Sequence, residues 1–114
     1  MAIWNIVFYP SSGSRHSPHD YIGSLSKKNE IALIYRRLKT IQELPMEEWP
    51  SKWIKKIGST YQLAADNQRV YFGLEEKTIV VCYACRKVSQ KARKEDLRRA
   101  EENFKSYHEE RREL

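Results

Sequence analysis

The residues best suited to chemistry lie between positions 68 and 100, in QRVYFGLEEKTIVVCYACRKVSQKARKEDLRRA. Arg69, Tyr71 and Tyr83 sit within two apolar segments, and Arg86, Lys87, Lys91 and Arg93 follow directly. Guanidinium and ammonium groups gathered at the rim of a sheet suit a polyanion, because arginine offers a fork of parallel donors and lysine a compact charge. Over residues 86–99 seven cations (Arg86, Lys87, Lys91, Arg93, Lys94, Arg98, Arg99) face two anions, Glu95 and Asp96. This is a balance of +5 within a chain total of +6. A charge run of this kind is often only a solvated helix face. Cations at the start of a helix meet the positive end of its macrodipole, however, so something negative must compensate, and phosphate is a candidate.

Other reactive side chains are sparse. Cys82 and Cys85 form a lone C-x-x-C, which is half of a zinc site at most. If one regular strand carries both, positions three apart face opposite sides, which opposes shared ligation or a disulfide. Structural cysteines are expected. His16 and His19 fall in a polar loop near a helix start, and His108 lies far along the chain. Tyr61, Tyr71 and Tyr83 fit either core packing or contact with a nucleotide.

The elements that must position these groups read as follows. Residues 3–9 are apolar and β-branched or aromatic and end at Pro10, which predicts a first strand. Ser17-Pro18 starts a short helix carrying Tyr21, Ile22 and Leu25. Ser26 is placed to cap a second helix, with Ile31, Ile34, Tyr35, Leu38 and Ile41 on one stripe. Trp49 and Trp53 are read as covering a core edge, with base stacking as the alternative. Residues 53–57 either start the first of three strands or form a bulged approach to it, and residues 60–65 read as strand. Asp66-Asn67 marks a turn. Residues 69–74 and 78–84 are near-continuous apolar runs, which predicts central strands buried on both faces. A last helix over 94–108 carries Leu97, Ala100, Phe104 and Tyr107 on a narrow stripe, with residues 109–114 frayed. The expectation is one α+β domain over residues 1–114 with the order β-α-α-β-β-β-α. Its sheet is small and mostly antiparallel, packed by the two N-terminal helices and a C-terminal helix.

Composition bounds the class. A 114-residue chain with 40% hydrophobic residues holds one core, and 32% charged residues with a mean hydropathy of -0.76 imply a heavily solvated exterior. No run approaches the roughly 18 apolar residues of a membrane span, and the first residues lack the pattern of a secretory signal. We therefore expect a cytoplasmic protein with no membrane partner. A pI near 9.4 makes an acidic partner plausible.

Four stretches in this order carry a resemblance: Thr60-Tyr61-Gln62-Leu63-Ala64, Arg69-Val70-Tyr71-Phe72, Ile79-Val80-Val81, and Arg86-Lys87-Val88-Ser89-Gln90-Lys91, followed by Ala100 and Tyr107 in the last helix. The chain resembles the RelE/ParE superfamily of toxins from type II toxin–antitoxin systems, nearest the HigB-like, phage-derived branch. There the corresponding segments have the forms Leu-Tyr-Glu-Leu-Arg, Arg-Val-x-Phe, a hydrophobic strand, and Lys-Lys-x-x-Lys.

The resemblance implies a RelE-like fold and a ribosome-dependent mRNA endoribonuclease that works without metal or cofactor. A ribose 2′-hydroxyl attacks the adjacent phosphate, a base takes its proton, cations stabilise the transition state, and an acid protonates the leaving oxygen. A lysine base needs a depressed pKa, which neighbouring cations favour. Carried over, Arg69 would hold the scissile phosphate, with Lys87, Lys91 and Tyr71 as the other catalytic residues. Arg86, Lys55, Lys56, Arg93 and Tyr83 would bind RNA. The implied partners are a cognate helix-turn-helix antitoxin, the ribosome and mRNA. Two positions depart from the pattern: Gln62 stands in place of glutamate and Ala64 in place of arginine. These departures keep two alternatives open, a catalytically degenerate RelE-fold protein that binds RNA or protein, and a ParE-like gyrase inhibitor.

Overall fold

A computed structural model describes residues 2–88 and 93–113. The order is β1 (Asn5–Phe8), α1 (Pro18–Gly23), α2 (Lys28–Gln42), a 3-10 turn (Met46–Glu48), β2 (Ile54–Ile57), β3 (Thr60–Ala65), β4 (Gln68–Glu75), β5 (Thr78–Arg86) and α3 (Lys94–Glu113). The strands form one five-stranded mixed sheet in the order β1-β5-β4-β3-β2. Every pairing is antiparallel except β1 with β5.

The apolar runs of β4 and β5 are interior strands, as their burial on both faces demands. Four strands follow α2, one more than the three expected. Residues 54–57 form their own edge strand because Gly58 supplies a left-handed turn (φ +61°) that folds β2 back on β3. The next two hairpins also close through two residues, with Asp66 (φ +58°) and Glu76 (φ +55°) in the same conformation.

Helices α1 and α2 cover one face of the sheet. Ile22, Ile34, Leu38 and Ile41 pack there on Leu63, Val70, Phe72, Ile79 and Val81, with Trp49 and Ala65 in the same core. Ser17 caps α1 by accepting from the Asp20 N–H at 3.2 Å, with Pro18 at the first helical position. Ser26 does not cap α2. Lys27 takes that place without a side-chain bond, so α2 is held by its apolar stripe rather than by its cap.

Helix α3 covers the other face, where Ala100, Leu97 and Phe104 pack on Tyr71, Cys82, Cys85 and Tyr83. It runs on to Glu113, past the expected end at 108. His108 Nδ1 lies 2.6 Å from Glu75 Oε2, and Asn103 Nδ2 donates to the Cys82 carbonyl at 2.8 Å; both tie α3 to the sheet. Among the described residues no helix is long and apolar enough to cross a membrane.

A single pairing irregularity sets which side chains α3 meets. Tyr71 pairs with Tyr83, yet Phe72 pairs with Val81, so Cys82 is an extra residue in β5. Such a bulge reverses the inward–outward alternation of everything beyond it. Cys82 and Cys85 consequently belong to the same α3-side cluster, not to opposite faces as regular alternation implies. Both are free thiols.

The approach of α3 depends on Gly73. A Cβ there would lie 2.5–2.6 Å from ring carbons of Phe104. Gly73→Ala is expected to lower unfolding stability by about 1–3 kcal/mol through overpacking, read as a reduced urea midpoint. Phe104→Leu in the same background should recover part of the loss. An unchanged midpoint in Gly73→Ala would show that α3 is not seated this closely.

Candidate polyanion cleft

The sheet register brings the candidate residues into one row. Lys55 pairs with Gln62, Gln62 with Tyr71, and Tyr71 with Tyr83. The row therefore crosses four strands on the α3 side. One step further along, Ala64 pairs with Arg69 and Arg69 with Cys85. The first turn of α3 meets this end of the sheet through Asp96, and a cleft of about 230 Å³ opens there. Among the described residues its charged lining is Lys52, Lys55, Arg69, Arg86, Lys87 and Arg93, against one carboxylate, Asp96. Six cations against one anion make the cleft a focus of positive potential.

The floor is uncharged and ordered. Tyr71 is 1% exposed, and its hydroxyl accepts from Gln62 Nε2 at 2.9 Å. Burial raises the Tyr71 pKa, so the phenol keeps its proton at neutral pH. With the Gln62 amide bound to its oxygen, the hydroxyl proton is available to a ligand above it. Gln62 cannot itself take up a proton, and Ala64 ends at Cβ.

The cations differ in how they are held. Arg69 Nη1 donates to the carbonyls of Asp66 and Gln68, both at 2.8 Å. No carboxylate pairs with it among the described residues, so its charge is not neutralised. The Lys87 backbone N–H donates to the Asn67 carbonyl at 2.7 Å, which fixes the end of β5 to the β3–β4 turn. Arg86 Nη2 lies 4.0 Å from Oε1 of Glu30, a buried carboxylate on α2. Glu30 Oε2 accepts from Gln68 Nε2 at 3.2 Å, and Gln68 Oε1 accepts from the Tyr21 hydroxyl at 2.7 Å.

Asp96 answers the helix-start problem that the sequence poses. It is 4% exposed, takes a two-point contact from Arg93 (3.0 and 3.3 Å) and accepts from the Tyr83 hydroxyl at 3.3 Å. A carboxylate in the first turn also suits the helix macrodipole.

Of the sequence-predicted residues, Arg69, Tyr71, Lys87, Arg86, Lys55 and Arg93 line the cleft together. Lys91 lies outside the described residues. Lys56 points to the opposite face, where its Nζ sits 5.8 Å from the centre of the Tyr61 ring. Tyr83 is behind the lining, holding Asp96. Arg98 and Arg99 turn away, toward Glu102 (2.7 Å) and Glu95 (3.4 Å). His16 Nε2 lies 2.6 Å from Arg99 Nη1, and burial with Arg99 and Arg15 nearby lowers its pKa, keeping the imidazole neutral. Sequence reasoning missed Asp96, Lys52 and Glu30 as parts of this region. The i, i+3 spacing of Arg93 and Asp96 was the available signal for the first.

No family model matches the chain, and no curated protein matches it.

The cluster behind the cleft makes stability sensitive to alkali. Burial pushes the Cys82 thiol up to about 12 from an ordinary 9.0; Cys85 reaches the same value through burial and then the Asp96 carboxylate. Burial and Asp96 raise Tyr83 from 10.0 to about 12. These groups ionise earlier in the unfolded chain, so their contribution is complete below the ordinary values and is lost as pH rises toward about 12. The urea midpoint should stay level through pH 7–8 and fall progressively above about pH 9, with a shallower fall in Cys82→Ala. A midpoint still level near pH 11 would contradict this arrangement.

Proposed function

We propose that the protein is a RelE-like toxin of a type II toxin–antitoxin system, acting as a ribosome-dependent mRNA endoribonuclease. The observation that carries this is the convergence of Arg69, Lys87, Arg86 and Lys55 around the buried Tyr71 hydroxyl in one cleft. The β1-α1-α2 order, the antiparallel strands and the closing α3 support the same reading, as do the four sequence stretches. The proposed setting is the cytoplasm, with a helix-turn-helix antitoxin, the ribosome and mRNA as partners.

In this reading the cleft positions one phosphodiester. Arg69, unpaired to any carboxylate among the described residues, binds its non-bridging oxygens and stabilises the charge that develops there. Lys87, in this scheme a neutral amine, takes the proton of the 2′-hydroxyl as that oxygen attacks phosphorus. The P–O5′ bond breaks, leaving a 2′,3′-cyclic phosphate, and Tyr71 protonates the departing 5′ oxygen. Burial raises the Tyr71 pKa, so at neutral pH the hydroxyl holds the proton that this step uses. No metal or cofactor takes part in this scheme.

A second reading follows from Gln62. Its amide donates to Tyr71, where a carboxylate would offer a base, and Ala64 adds no cation beside it. A RelE-fold protein that binds RNA without cutting it is consistent with that floor.

Induced expression separates the two. The toxin reading expects growth arrest and cleavage of translated mRNA, both lost in Lys87→Ala and Arg69→Ala. The cleavage rate should fall by roughly 10²-fold when one charge-stabilising donor is removed. Arrest that persists undiminished in both variants would rule out this site. Harmless wild-type expression together with RNA binding would favour the non-cleaving reading.

A further inference from the structure

We infer that Trp53 forms a nucleobase-stacking subsite in the cleft, which makes the ligand a single-stranded nucleic acid rather than a bare polyanion. The inference rests on the polyanion reading above. Trp53 lines the same cleft as Lys52, Lys55 and Arg69 and is only half-buried. The other two tryptophans are committed elsewhere. Trp49 is core, with its indole N–H donating to the Ile41 and Leu44 carbonyls at 3.0 and 3.1 Å, and that of Trp4 donates to Leu44 at 2.9 Å. The Trp53 indole N–H meets no acceptor among the described residues.

The ring is held ready for a planar partner. The Arg37 guanidinium lies 4.8 Å from its centre, and Arg37 Nη1 is itself bonded to the Ala64 carbonyl. The Trp53 backbone is tied at both ends: its N–H donates to Pro50 at 3.3 Å and its carbonyl accepts from Ala64 at 2.7 Å. The indole thus packs in part against the helical core and in part under a fixed cation, and its remaining surface lines the cleft, where a ligand can meet it. An ordered ring loses little freedom on binding. The adjacent floor at Ala64 has no side chain beyond Cβ, and Val88, 64% exposed, adds an aliphatic surface to the same cleft. A flat apolar face beside phosphate-binding cations is the recurring design for unpaired bases. At about 230 Å³ the cleft is smaller than pockets for drug-sized ligands, which suits one base at a time.

The test uses two oligoribonucleotides of equal length and charge, one with bases and one abasic throughout, titrated by anisotropy against the full chain. Wild type should bind the base-bearing strand more tightly. Trp53→Ala should weaken that binding by roughly 10-fold, leave abasic binding unchanged and so report intact folding. Trp53→Phe should keep most of the affinity. Equal binding of both strands by wild type, or an equal loss on both in Trp53→Ala, would overturn the stacking subsite while leaving polyanion binding intact. Wild type that binds neither strand would overturn the polyanion reading and the subsite with it.

Discussion

One extra residue in β5 decides which side chains reach the cleft. Cys82 stands unpaired between the Val81–Phe72 and Tyr83–Tyr71 pairs. Upstream of it, Ile79 and Val81 face α1 and α2. Downstream, Tyr83 and Cys85 face α3 and Ala84 faces the helical core. With regular alternation Tyr83 and Cys85 would point into the α1–α2 core and Ala84 toward α3. The bulge sets Tyr83 beside Tyr71, with ring centres 6.1 Å apart, and gives Asp96 its hydroxyl partner. The start of α3 is anchored at that partner, and the cleft exists because α3 starts there.

The electrostatics follow from the same placement. A cluster of cations is costly unless it is solvated or compensated. Asp96 compensates Arg93, and Glu30 stands behind Arg86, while among the described residues Arg69 is held only by backbone carbonyls. Every buried side-chain nitrogen or oxygen among the described residues has a hydrogen-bond partner. Among the described residues, six cations and one carboxylate line the open cleft, so positive charge is concentrated there. This is the arrangement expected where an external anion completes the charge balance, and it puts the buried Tyr71 hydroxyl next to that anion.

Much of the fold was legible in the sequence because its signals are local. The continuous apolar runs of β4 and β5, the Ser17-Pro18 helix start and the α2 stripe each depend on short-range chemistry. The edge strand β2 was less visible, since its Ile-Lys-Lys-Ile pattern has only two apolar residues and its turn rests on Gly58. The bulge was not legible at all. Strand alternation assumes regular pairing, and only the partner strand reveals that Cys82 is extra. The same limit applies to the site. The cations could be named from the sequence, but Lys55 and Lys56 could not be separated until the β2–β3 register put them on opposite faces. Asp96 looked like one charge in a sum because its partners, Tyr83 and Cys85, come from another element.

That separation of neighbours gives the most direct measurement of the account. The dependence of single-stranded RNA affinity on salt concentration counts the phosphates a protein neutralises, at about 0.7 per contact in the log–log slope. Compared with wild type, Lys55→Ala should make the slope shallower by about that amount, and Lys56→Ala should leave it unchanged. An equal change in both variants, or a change in Lys56→Ala alone, would contradict the claim that the α3 side of the sheet is the polyanion-binding face.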